Sequence, residues 1–226
     1  MGSVEETRRS WGRREPLFGI AFVVFFLGSV GASSVPANNA SDKDWVAAYA
    51  THGQQARHVI TGLCLIGAAF CLLRFLTMLW KAVAEAGKPE QLSRVPLIAA
   101  RVSAASIAVG GLLMGGISAA MLTGAAHKPD TTALKFGNGA GFLMVAIPGM
   151  LAAALSIAYL SVRARSAGFF GKKLMVFSLV VSVVLLGAVV FVPIVALLIW
   201  LIVVTIVFMG KNAAAMPTTR APALPA

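Results

Sequence analysis

The chain has 226 residues, of which 58% are hydrophobic and only 12% charged, and its mean hydropathy is +0.86; soluble domains carry about 25% charged residues. That composition excludes an ordinary water-soluble domain. The net charge of +11 does not point to nucleic acid, because the Lys and Arg residues flank long apolar runs, where such residues orient membrane helices.

A basic head, residues 1–16, contains Arg8, Arg9, Arg13 and Arg14 and is expected in the cytoplasm. The first apolar run, 17–35, would make a helix about 28 Å long, enough to cross a bilayer. Its end, Gly31-Ala32-Ser33-Ser34, is also similar to a signal-peptidase site. The run exceeds the about 7–15 apolar residues of a signal peptide, however, so a retained first span is expected. In the segment that follows, Ser41 and Asp44 have capping-box spacing, with Asp in place of the usual Glu or Gln. They precede Trp45-Val46-Ala47-Ala48-Tyr49, so a short helix is expected there, with Trp45 and Tyr49 at headgroup level. Asn39-Ala40-Ser41 fits a glycosylation sequon, which matters only in a eukaryotic source.

Three further spans are expected at 58–80, 96–123 and 139–162. The last apolar stretch, 174–210, would be about 55 Å long as one helix, against a hydrocarbon core of about 30 Å. It is therefore expected to fold back near Phe191-Val192-Pro193, where proline lacks a helical N–H donor, into spans 174–190 and 194–210. A tail, 211–226, rich in Ala, Pro and Thr, is expected to be disordered and cytoplasmic. The fold class is thus all-α: a polytopic transmembrane helical bundle of six spans, with residues 17–210 as its membrane domain. With the N-terminus inside, only Lys43, Arg57, Lys128 and Lys135 fall outside, which leaves fifteen of the nineteen basic residues on the cytoplasmic side.

No motif for chemistry emerges. All eight acidic residues, Glu5, Glu6, Glu15, Asp42, Asp44, Glu85, Glu90 and Asp130, lie outside the expected helix cores, which disfavours a carboxylate-driven pump. His52, His58 and His127 match no helical ligand spacing and read as polar residues of the outer interface. Cys64 and Cys71, seven residues apart in one helix, cannot pair with each other. No nucleophile elbow, zinc motif or phosphate loop occurs, and neither cofactor nor metal is expected. Gly111, Gly115 and Ala119 form a small-residue stripe at four-residue spacing, with Gly116, Ala120 and Gly124 beside it. Such a stripe allows close helix packing, inside the bundle or between two copies. Pro148-Gly149 is a hinge candidate. Arg74 and Arg101 are basic residues of the inner interface; they either extend their guanidinium groups to the headgroups or face a shared vestibule.

The basic head before Leu17, the segment Ser41-Asp42-Lys43-Asp44-Trp45-Val46-Ala47-Ala48-Tyr49 leading to Arg57-His58, and the exit from Phe75 to Trp80 resemble a family of uncharacterised bacterial, especially actinobacterial, integral membrane proteins. The resemblance implies a bacterial inner membrane and carries no activity or site residue with it. The expectation is a non-enzymatic membrane protein that packs with itself or binds a partner. The alternatives are a facilitator or channel for a small solute and, third, a membrane-embedded enzyme. The expected partners are the lipid bilayer and either a second copy or another membrane protein.

Overall fold

The computed structural model describes residues 15–37, 39–86, 93–126, 130–187 and 192–214, and every regular element among them is helical. In chain order these are α1 (Leu17–Ala32), α2 (Asp42–Ala47), α3 (His52–Ala86), α4 (Val95–Leu122), α5 (Thr131–Met144), a π-helical turn (Val145–Gly149), α6 (Met150–Ser166), α7 (Lys172–Leu185) and α8 (Val192–Ala214). Among the described residues four helical stretches are long and apolar enough to cross a membrane: His52–Glu85, Val95–Leu122, Thr131–Ser166 and Pro193–Gly210. Helix α1, with 16 residues, and α7, with 14, correspond to about 24 and 21 Å. Both fall short of a core of about 30 Å.

Several boundaries differ from the expected ones. Helix α1 stops at Ala32, and Ser33 is already extended. Helix α3 runs past both ends of 58–80. The expected span 139–162 starts eight residues earlier, at Thr131, because the Asp130 side chain caps the helix by accepting from the Thr132 N–H at 3.0 Å. Lys135 and Asn138 thereby become helical residues. Pro148 sits inside the π-helical turn, where the widened backbone accommodates the missing N–H and the ring.

The stretch 174–210 does break into two helices, but the break comes before the proline. Helix α7 ends at Leu185, and Pro193 lies in the first turn of α8, where a proline has no helical bond to lose. Residues 188–191 lie outside the described segments. The two helices run antiparallel: a Cβ on Gly187 would touch Pro193, the Trp200 Nε1–H donates to Ser178 Oγ at 2.8 Å, and the Phe170 and Phe208 rings meet edge to face. Residues 211–214, read from sequence as tail, continue α8. The rest of the tail and the head up to Arg14 lie outside the described residues.

Tertiary contacts place the helix ends in two groups. Pro16 at the start of α1 accepts a hydrogen bond from Thr205 Oγ1 late in α8, and the Arg74 guanidinium covers the Phe18 ring at 5.6 Å. Trp80 Nε1 donates to the Ser93 carbonyl at the start of α4, and the Ser93 N–H donates to Tyr159 Oη on α6. One end of the bundle therefore gathers the start of α1, the end of α3, the start of α4, the end of α6, the start of α7 and the end of α8. Arg74, Lys81, Arg94, Arg101, Arg163, Arg165, Lys172 and Lys173 lie on these segments. Gly168, with φ +76°, ends α6 there in a left-handed cap: its N–H bonds to the Arg165 carbonyl and the next N–H to that of Ala164. The same turn brings Phe169 and Phe170 onto Phe208.

Helix α4 is the centre of the bundle, and two faces of it are bare backbone. Gly111 and Gly115 meet Gly62 of α3: a Cβ on Gly111 would lie 2.7 Å from the Gly62 carbonyl oxygen, and one on Gly115 3.2 Å from that of His58. Gly110 meets Gly141 of α5, where a Cβ on either would come within 2.8 Å of the other's carbonyl oxygen. Ala119, farther along the first face, is half-buried. Gly116 is exposed with open space at its Cβ position, and Gly124, at φ +75°, follows the α4 C-cap in the left-handed position that favours glycine.

Candidate functional site

The end of the bundle opposite the basic cluster is closed by α2. Ser41 Oγ accepts from the Asp44 N–H, while the Ser41 N–H donates to Asp44 Oδ2 at 3.0 Å, so the capping box forms with Asp as its acid. A lone six-residue helix would not persist in water; this one is held by what it buries. Trp45 and Tyr49 are almost wholly enclosed and pack around Leu134 of α5. Their rings face the bundle.

The polar edge of this cap is tied to two helices. The Tyr49 ring stacks on His58 of α3 with centroids 4.0 Å apart, and His58 Nε2 lies 3.3 Å from the Ala48 carbonyl. Gln55 Nε2 donates to the Tyr49 carbonyl at 2.9 Å. From α5, Asn138 Nδ2 donates to Tyr49 Oη at 2.6 Å, and Lys135 Nζ pairs with Asp42 at 2.7 Å. Burial pushes the Tyr49 phenol above its ordinary pKa, with the Asn138 hydrogen bond partly opposing, so the hydroxyl stays neutral at any physiological pH. His58, read from sequence as an interfacial residue, is a buried structural one. Tyr49→Phe leaves the ring stack and removes the oxygen that Asn138 donates to. It is expected to cost about 1 kcal/mol, read as a lowered melting temperature in detergent.

Beneath the cap lies a cavity of about 810 Å³ lined from α1, α2, α3, α4, α5 and α8. Its origin is a difference in helix length. The Phe75 and Trp200 rings meet edge to face, which puts these residues of α3 and α8 at one level. From there α8 continues for eight residues to Val192, about 12 Å, whereas α3 carries His58 seventeen residues on, about 26 Å. Helices α7 and α8 thus stop below the cap, and Ile194 in the first turn of α8 lines the cavity that remains.

The walls are apolar, formed by Phe26, Leu65, Met114, Phe142 and Val145. Ser29 and Thr61 also line it, but their hydroxyls donate to backbone carbonyls of their own helices, at 2.7 and 3.0 Å. At the cap end stand Trp45, Lys135 and Asn138. Trp45 Nε1 and Asn138 Oδ1 are buried without a partner among the described residues, a donor and an acceptor that a protein interior does not normally leave unmatched.

Of the residues singled out from sequence Trp45 lines this cavity, whereas Gly111 and Gly115 of α4 pack on α3, Ala119 lies farther along that face, Pro148 and Gly149 belong to the π-helical turn, and Arg74 and Arg101 are exposed toward the basic end. Sequence reasoning missed Trp45, Lys135 and Asn138 as a group, because the last two were placed in a loop. A signal was present in Leu134, Gly137, Asn138 and Gly141, which follow the three- and four-residue rhythm of a helix face. Among the described residues no group of three or more His, Cys, Asp or Glu could hold a metal.

The fold and cavity define an all-helical protein with four helices able to cross a membrane and an apolar cleft with a polar rim. Comparisons with protein-family models, curated proteins and solved structures each find no match to this chain.

Proposed function

We propose that this chain is a six-span protein of a bacterial inner membrane, with both termini in the cytoplasm, that acts by binding rather than by catalysis. The observation that carries the reading is the capped cleft. Its walls are apolar, and His58 of the cap is buried and stacked on Tyr49. Two features support the topology: basic side chains gather at one end of the bundle, and the antiparallel α7–α8 pair returns the chain to that end. The glycine crossings of α4 support a rigid scaffold, since close backbone contact substitutes for the hydrophobic drive absent in lipid.

A solute facilitator is the second reading, favoured by the π-helical turn around Pro148, because broken helices line transport paths in many carriers. Flux of small neutral and anionic solutes into proteoliposomes separates the two. Rates equal to those of protein-free vesicles are expected; saturable flux would replace the binding reading by the facilitator.

A further inference from the structure

We infer that the capped cleft is a binding site for one glycerophospholipid, with an acyl chain along the apolar wall and the phosphate at Lys135. The inference rests on the proposed membrane setting and on binding as the activity, but not on the number or direction of the spans.

Length and polarity both point to this occupant. From Lys135 at the cap end to Val145, the wall runs ten residues of helix, about 15 Å. That is half of a hydrocarbon core of about 30 Å, the depth of one leaflet. The polarity falls along that path in the same order as in a lipid: Lys135, Trp45 and Asn138 at the cap, then Phe142, Leu65 and Val145, with Ile194 in the first turn of α8. A volume of about 810 Å³ lies within the about 300–1,000 Å³ of small-molecule sites. Trp45 and Asn138, each more than nine-tenths buried, make the cap end of the lining polar beside Lys135.

The lysine supplies the charge. Its bond to Asp42 joins two substantially exposed side chains, at 41% and 74% relative exposure, and such pairs contribute little net stability. A phosphate arriving from the cleft can therefore take over Lys135 at small cost. Asp42 is then left at the rim, where its carboxylate weakens an anionic headgroup's hold.

Gly139 offers a direct way to close the site. It lines the cleft, is exposed, and has nothing within 4 Å of its Cβ position, so a side chain added there fills the cleft without displacing backbone. The experiment is native mass spectrometry of the full chain, stripped of lipid in detergent and titrated with phosphatidylglycerol or with diacylglycerol of the same chains. Wild type is expected to take one phosphatidylglycerol per chain. Gly139→Phe should weaken both lipids by about tenfold or more at unchanged melting temperature; Gly139→Leu replaces it if the larger variant does not fold. Lys135→Gln should weaken phosphatidylglycerol about tenfold, the loss of one charge-assisted contact, and leave diacylglycerol unchanged. Asp42→Asn should tighten phosphatidylglycerol. No stoichiometric lipid on wild type, or undiminished binding by the Gly139 variant, overturns the site. An equal response of both lipids to Lys135→Gln, or weaker binding by Asp42→Asn, overturns the phosphate assignment. Flux in proteoliposomes, the result that would displace the binding function, leaves these stoichiometries unaffected, so the two failures are told apart.

Discussion

Gly111→Ala is expected to lower the melting temperature of the detergent-solubilised protein by several degrees, Gly115→Ala by less, and Gly116→Ala not at all. All three lie on α4 within six residues, so helix propensity acts on them alike and favours alanine by about 1 kcal/mol. What differs is the space. A Cβ on Gly111 would stand 2.7 Å from the Gly62 carbonyl oxygen and 3.0 Å from Leu65 Cβ, so backbone of α3 must move. One on Gly115 meets the His58 carbonyl oxygen at 3.2 Å, a contact that a few tenths of an ångström relieve, and one on Gly116 meets nothing within 4 Å. Overpacking of the first kind costs about 1–3 kcal/mol, and in a chain of this size each kcal/mol shifts the midpoint by about 2–4 °C. Gly62→Ala, which adds the methyl from the other side, should reproduce the Gly111 result. Equal midpoints across the series would mean that α3 and α4 do not approach through their glycines.

The glycine series also illustrates what could be read from sequence. The spacing of Gly111, Gly115 and Ala119 marks a face open to close approach, but its partner is a single glycine, Gly62, with no companion at four-residue spacing, so nothing in the sequence of α3 advertises the crossing. Apolar length located the helices at 96–123 to within a residue at each end, since Pro96 and the Thr123-Gly124 cap punctuate that run. It failed at 131–138, where Lys135, Gly137 and Asn138 depress hydropathy although Leu134, Gly137 and Asn138 face inward. Hydropathy measures affinity for lipid, and this stretch is held by protein contact. The same distinction explains Trp45 and Tyr49: aromatic side chains beside a membrane segment suit the headgroups, and only the fold shows that Leu134 and His58 offer them a drier place. Pro193 was read as a helix breaker, but a proline tolerates a first turn as well as it ends a last one, so the break fell earlier. The cleft could not be read from sequence because it arises from the relative heights of three separate helices.

A periplasm-active reporter fused after Ala226 is expected to be silent, and a cytoplasm-active one to function. Apolar length alone leaves this undecided: α7, at about 21 Å, is too short to cross a core of about 30 Å unaided, and a hairpin that stops short is not two ordinary spans. The side of the C-terminus does not depend on that depth. Gly187 lies beside Pro193, Ser178 bonds Trp200, and Phe170 meets Phe208, so α8 retraces α7 and must return to the level of Lys172 and Lys173 however far the tip penetrates. That level also holds the start of α1, since Thr205 late in α8 bonds the Pro16 carbonyl. The start of α1 and the end of α8 therefore share a side, and in the proposed topology the basic residues gathered there face the cytoplasm. A second fusion, placed between Asn39 and Ser41 ahead of α2, should show the reverse pattern, active in the periplasm and silent in the cytoplasm. Matching signals from the two positions would require an even number of crossings between them, which the antiparallel pairing of α7 with α8 and the bond from Thr205 to Pro16 do not allow.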